Sequence, residues 1–221
     1  MDADLVPLNP TEQTYSALQT AYDYFNAVLF TNQLPPCLIT LQRKEKRTYG
    51  YFWATRFGQV DGSGHTDEIA LNPQRFTTAS IEAVLSTLAH EMCHLWQHHF
   101  GQPSRAAYHN KQWAAQMKLI GLQPSHTGQP GGKEVGQRMT HYIVTDGLFA
   151  KACAALLAED FKLAWGEVID RVTDDETTTG NDKNRTNRLK YTCLGCGANA
   201  WGKPALALIC GKCETAFELA L

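Results

Sequence analysis

The stretch Leu85 to Phe100, "LSTLAHEMCHLWQHHF", holds four of the chain's eight histidines and one glutamate, and its reading decides both fold and chemistry. Leu85, Leu88, Met92 and Leu95 recur at three- and four-residue steps, and Ile81 and Val84 carry the stripe backwards, so the spacing predicts a helix from about Ala79 to His99. His90 and His94 lie off that stripe. Four residues turn a helix by about 400°, so the two imidazoles leave one flank about 40° apart and can meet at one metal ion. Glu91, beside the first of them, is placed to take a proton from metal-bound water rather than to ligate, which is what His-Glu-x-x-His offers zinc. A catalytic zinc takes a third protein ligand. His98 continues the spacing but drifts further round the helix, whereas His109 opens the next predicted helix with Trp113 one turn on. His109 is the favoured third ligand and His98 its rival, and Cys93 reads as a buried thiol.

Working outward, a first helix is expected from Glu12 to about Phe30, capped by Thr11, with Tyr15, Leu18, Tyr22, Phe25 and Leu29 inward and "NQLPP" as its stop. "LITLQ", "YGYFWATRF" and "EIALNP", between Leu38 and Pro73, predict three strands of a small antiparallel sheet. "RKEKR", Arg43 to Arg47, reads as a solvated basic turn. After the metal helix come a helix from His109 to Gly121, with Trp113, Met117 and Ile120 inward, and a Gly/Pro-rich loop. A strand "MTHYIVT" and a helix "GLFAKACAALLAED" follow. The fold class is therefore α+β, with helices packed on a small antiparallel sheet.

At 221 residues the chain has room for one well-cored domain and a smaller unit, and a net charge of −2 gives no general attraction to nucleic acid. The acidic start "MDADLVPLNPTEQ" does not look like a secretory leader, and no apolar run approaches the roughly 18 residues that span a bilayer. No membrane partner is expected. The expected location is cytoplasmic, nucleoid-associated in a bacterium or nuclear in a eukaryote. Residues 173–190, "TDDETTTGNDKNRTNRLK", contain one apolar side chain and predict a flexible linker between a domain at 1–172 and a unit at 191–221.

That last unit carries Cys193 and Cys196, then Cys210 and Cys213, two Cys-x-x-Cys pairs separated by thirteen residues. Four thiolates close a tetrahedral site, so the unit reads as a ribbon folded around a structural zinc, with a rubredoxin-like iron site as the rival. "ANAWGKPALALI" between the pairs has the length of two short strands. Arg185, Arg188, Lys190 and Lys203 could meet phosphates while Trp201 and Tyr191 stack on bases; the aromatics could equally cover the ribbon's small core.

"LAHEMCHLWQHHFG…AAYHNKQWAAQMKLIGL", together with "NQLP", "YGYFW" and "EIALNP", resembles the SprT-like metalloprotease domain from roughly Thr11 to Gly121. The Spartan members of that family cleave proteins crosslinked to DNA. The resemblance implies His90, His94 and His109 as ligands of a catalytic zinc and Glu91 as general base on zinc-bound water. It also implies a zinc endopeptidase acting on protein substrates on or near DNA, especially single-stranded DNA. His126, Arg138, His141 and Tyr142 are candidates by residue type for stabilising an oxyanion. The rival function is a DNA-binding or transcription-linked adaptor that keeps the zinc and cleaves little, against which an intact Glu91 argues.

Overall fold

The computed structural model describes residues 8–42, 48–168 and 189–219. Helix α1 (Pro10–Phe30) begins two residues before the expected start at Glu12. Asn9, not Thr11, caps it: its side chain accepts from Glu12 N at 3.0 Å and the Glu12 carboxylate returns to the Asn9 amide. Pro10 suits the first helical position because it has no N–H to leave unpaired. Thr14, Leu18, Ala21, Tyr22 and Phe25 form the buried stripe, while Tyr15, expected inside, is exposed one position off it. The helix ends where Thr31 and Asn32 turn left-handed and Asn26 bonds both backbone groups of Leu34.

Strands β1 (Leu38–Leu41), β2 (Gly50–Gly58) and β3 (His65–Leu71) form one sheet in the order β1-β3-β2. β2 and β3 are antiparallel, as expected, but β1 runs parallel to β3, with Ile39 opposite Ile69, so the sheet is mixed. The reason is burial: β3 carries the apolar and buried run and takes the centre, which separates the two strands that precede it in sequence. The basic stretch 43–47 lies outside the described residues.

A short α2 (Arg75–Thr78) leads to α3 (Ile81–Phe100), capped by Ser80. The expected stripe is buried from Val84 onward, with Ile81 half-buried, and so are Ser86, Thr87, Ala89 and Cys93, so α3 is enclosed on most faces rather than one. α4 (Lys111–Leu119) starts later than expected, with Asn110 as cap. The Asn110 side-chain oxygen accepts from Trp113 N at 3.0 Å and from Gln97 Nε2 at 2.7 Å, which ties the start of α4 to α3. Trp113, Met117 and Ile120 are fully buried. A strand that the sequence reading missed, β4 (Leu122–Ser125), pairs antiparallel with β5 (Thr140–Ile143), and α5 (Leu148–Ala158) follows. α5 packs on α1, with the Phe25 and Phe149 rings 5.4 Å apart.

The chain divides into two compact units, residues 1–170 and 171–221. In the second, β6 (Leu189–Cys193), β7 (Asn199–Gly202) and β8 (Phe217–Leu219) form a sheet in the order β7-β6-β8. Between the cysteine pairs there is one strand, β7, and a single bridge from Ile209 to Ala216, instead of two strands. Residues 169–188, most of the expected linker, lie outside the described residues, and its last two, Leu189 and Lys190, open β6.

Gly121, just past the end of α4, has φ +85°, and a Cβ there would stand 2.7 Å from Leu148 N and 2.9 Å from Phe149 N. Backbone cannot yield as a side-chain tip can. Gly121→Ala is expected to lower the unfolding free energy by about 2–4 kcal/mol, seen as an earlier urea midpoint at an unchanged m value.

Candidate metal centres

Enclosure of α3 places His90 and His94 inside the protein, and the turn before α4 brings His109 to them. One ring nitrogen from each of the three lies within 4.8 Å of the others. Trp113 supports all three: its ring centre is 4.9 Å from that of His90, 5.2 Å from His94 in a stacked pose, and 4.4 Å from His109. His109 itself is held by a two-bond bridge to Gly136, through His109 N to Gly136 O at 2.8 Å and Gly136 N to His109 O at 3.1 Å.

The hydrogen bonds set which nitrogen of each ring is available. The Ser86 hydroxyl donates its one proton to Ala83 O, so it accepts from His141 Nε2 at 2.9 Å. Neutral His141 then accepts at Nδ1 from His90 Nδ1, 3.1 Å away, and the lone pair of His90 is left at Nε2. His109 Nδ1 donates to Gly136 O at 3.2 Å, which leaves its Nε2 free in the same way. Carbonyls and side chains in this position orient metal-binding imidazoles and fix their tautomers. Burial, followed by repulsion from neighbouring imidazoles, pushes the His90 pKa well below its ordinary value. Burial also takes His94 down to about 3 and lowers His109. At neutral pH all three are uncharged donors.

Glu91 is buried beside them, and among the described residues its carboxylate makes no hydrogen bond. Burial raises its pKa to about 8. β2 passes close over it: a Cβ on Gly50 would lie 2.8 Å from Ala70 O and 3.3 Å from Glu91 Oε1, so the glycine that opens "GYFW" is what allows the approach. A buried carboxylate without a partner next to three neutral imidazoles fits a divalent cation and its water, because cation and water supply what the protein does not.

Of the other residues singled out in the sequence, His141 reaches the cluster through His90, whereas His126 lies in the exposed loop, accepting from Lys133 N at 2.8 Å. Arg138 is exposed, and Tyr142 alternates with His141 on β5. His98 lies outside the three-histidine group: its ring rests on Phe52, 5.9 Å away, and it groups with His99 and Asp67. No local pattern announced Ser86, His141 or Gly136, because each acts across the fold rather than along the chain.

In the second unit the sulfurs of Cys193, Cys196, Cys210 and Cys213 also lie within 4.8 Å of one another. Each pair is built as the same knuckle: Cys193 N donates to Ala198 O and accepts Gly197 N at its carbonyl, and Cys210 does the same with Thr215 and Glu214. Gly197 and Glu214 hold equivalent positions with φ +72° and +52°. The amides of Lys212 and Cys213 lower the pKa of the Cys210 thiol, while Cys196, Cys210 and burial raise Cys213 to about 12, so the cluster favours its first thiolate and resists further ones unless a cation offsets their charge. Four sulfurs and no oxygen fit zinc in a closed, structural site.

Lys190 and Trp201 face each other across β6 and β7 and are exposed, as is Lys203. Tyr191 is buried instead and donates its hydroxyl to Lys203 O at 2.7 Å, so it belongs to the ribbon's core and not to a stacking surface. Arg185 and Arg188 lie outside the described residues.

The Glu91 shift has a definite sign. A carboxyl whose folded pKa is about 8 against an ordinary 4.5 keeps its proton in the fold while the unfolded chain gives it up, so stability present below pH 4.5 is lost as pH rises to 8. In metal-stripped protein, Glu91→Gln is expected to gain stability over wild type from pH 5 to pH 8 and to hold the margin above that. Thermal unfolding of the pair across pH checks this, since the imidazoles cancel in the difference. A margin independent of pH would place Glu91 in water.

Among the described residues no helix is long and apolar enough to cross a membrane. A Salmonella typhimurium protein described as an uncharacterized protein in the mucB 3′ region is 60% identical over 60 residues, which are 27% of this chain and 80% of that protein. No solved structure matches the chain. A model described as the SprT-like family matches residues 18–134, just over half of the chain and all of the three-histidine centre. The chain thus belongs to the SprT-like family, and its first unit is a metallopeptidase-like domain of that family's zinc type.

Proposed function

We propose that the chain is a zinc-dependent endopeptidase that cleaves proteins bound or crosslinked to DNA. Its catalytic domain is residues 1–172, its linker 173–190 and its zinc ribbon 191–221. His90, His94 and His109 hold the catalytic zinc through ring nitrogens, and Cys193, Cys196, Cys210 and Cys213 hold a structural one. The observation that carries this reading is Glu91: a buried carboxylate with no hydrogen bond among the described residues, set against three imidazoles. A structural metal has no use for such a group, and its burial costs stability.

Zinc supplies Lewis acidity at the scissile carbonyl and acidity to the attacking water. Glu91 would accept the proton of that water and return it to the leaving amine. His141 holds the tautomer of His90. β2 is an edge of its sheet, so its outer backbone groups can pair with an extended polypeptide and align it above Glu91. The DNA part of the reading rests on the family resemblance and on the exposed Lys190, Trp201 and Lys203 of the ribbon, with Arg185 and Arg188 before it.

Zinc-loaded full-length protein, incubated with a DNA-binding substrate with and without single-stranded DNA, is expected to cleave it. Glu91→Gln is expected to keep its zinc and to cleave at least about a hundredfold more slowly. His109→Ala is expected to reduce tightly held zinc from two equivalents to one. Equal cleavage by wild type and Glu91→Gln would sink the assigned role of Glu91, and no cleavage by either would favour the DNA-bound adaptor.

A further inference from the structure

The two histidines at the end of α3 are not idle surface groups. His98, His99 and Asp67 each offer one donor atom, all within 4.8 Å of one another, and the three border a concavity of about 190 Å³ with Thr55, His65 and Thr66. Asp67 is the fixed point. It sits on the central strand β3, its side chain is 8% exposed, and its Oδ1 accepts from Thr55 N at 2.7 Å. Thr55 has φ +52° and lies where β2 loses register with β3, between Trp53 and Phe57, so the bulge and the carboxylate hold each other. That leaves Oδ2 turned to the helix, 2.6 Å from His99 Nε2. His98 stands beside it against Phe52, and its ring makes no hydrogen bond among the described residues.

We propose that Asp67, His98 and His99 form a third metal site, which binds a divalent cation of the zinc type. Two imidazoles and one carboxylate suit such an ion and are too nitrogen-rich for calcium or magnesium. Metal–ligand distances of about 2.1 Å at a tetrahedral angle separate two donors by roughly 3.4 Å. The direct Asp67–His99 contact therefore opens by less than about 1 Å to admit the ion, a shift that an exposed imidazole makes by rotating about its side-chain bonds. His98 closes the third position and water the remainder. The site is shallower than the three-histidine centre, with His98 and His99 exposed, so its ion exchanges with solution while the other two stay bound. Occupied, it clamps the last turn of α3 to β3 and to the β2 bulge, next to the Phe52 ring that also stacks towards His94 at 6.5 Å.

The test uses the full chain after desalting, which leaves tightly held zinc in place, titrated with Zn²⁺ in a calorimeter. Wild type is expected to take up one further equivalent. His98→Ala with His99→Ala is expected to lose it while keeping the tightly held zinc and its cleavage activity. His98→Ala alone, which leaves the Asp67–His99 contact intact, is expected to weaken uptake roughly tenfold or more. No added equivalent in wild type, or an added equivalent that persists in the double variant, overturns the site. His109→Ala separates the proposals: it lowers the tight count if the catalytic assignment holds, and leaves the added equivalent untouched.

Discussion

The enclosure of α3 is the constraint on which the rest of the molecule turns. A surface helix could carry His90, Glu91 and His94 at no cost, but then imidazoles would protonate in acid and water would satisfy the carboxylate. Burial changes both: the rings, packed on Trp113, stay neutral far below their ordinary pKa, and the carboxyl of Glu91, under β2, clings to its proton up to about pH 8. These groups are stable inside the protein only if something else meets their polarity. Part of the answer comes from the chain, through the relay from His90 to His141 to Ser86 and the bond from His109 to Gly136. The remainder, Glu91 and the free Nε2 atoms of His90 and His109, is what the proposed metal ion and its water would complete.

The supporting elements follow from that need. α4 exists in its place because Asn110 bonds Gln97 on α3 while capping its own helix, and this fixes Trp113 beneath the histidines. β5 carries His141 into the cluster, and the β4–β5 pair is in turn anchored to the end of α4 at Gly121, whose carbonyl accepts from Val144 N at 3.1 Å. Gly50 lets β2 lie over Glu91. A disturbance at Gly121 thus reaches the metal centre through backbone and not through any ligand.

What the sequence revealed is what local periodicity encodes. The α3 stripe, the pairing of His90 with His94, the inward face of α4 and the cysteine pairs all depend on residues a few positions apart. The two knuckles are legible because six residues contain the entire hydrogen-bond pattern of each. Legibility fails where partners are distant: His141 lies 51 residues from His90, Gly136 lies 27 from His109, and Asp67 lies 32 from His99. It also fails where two local choices compete. Asn9 and Thr11 are both good caps, and the choice falls to Pro10, which belongs inside the first turn. The parallel run of β1 beside β3 depends on which strand is central, a question decided by burial across the whole sheet. Tyr191 offers a base-stacking ring by type, but a ribbon this small spends its aromatic on its own core.

One helix therefore carries two polar groupings eight residues apart that differ in surroundings more than in composition. His90 and His94 lie under β2 and α4, where desolvation removes the competing proton and leaves the metal no rival. His98 and His99 lie beyond that cover, where solvent competes for every donor, and only Asp67, pinned by the Thr55 amide, is held in place beforehand. Since affinity depends on how much of the donor set is positioned and dehydrated before the ion arrives, the order of occupation along α3 follows burial. On the proposed assignments the buried pair would fill first and hold its ion, and the exposed pair would fill and empty as the supply of metal changes.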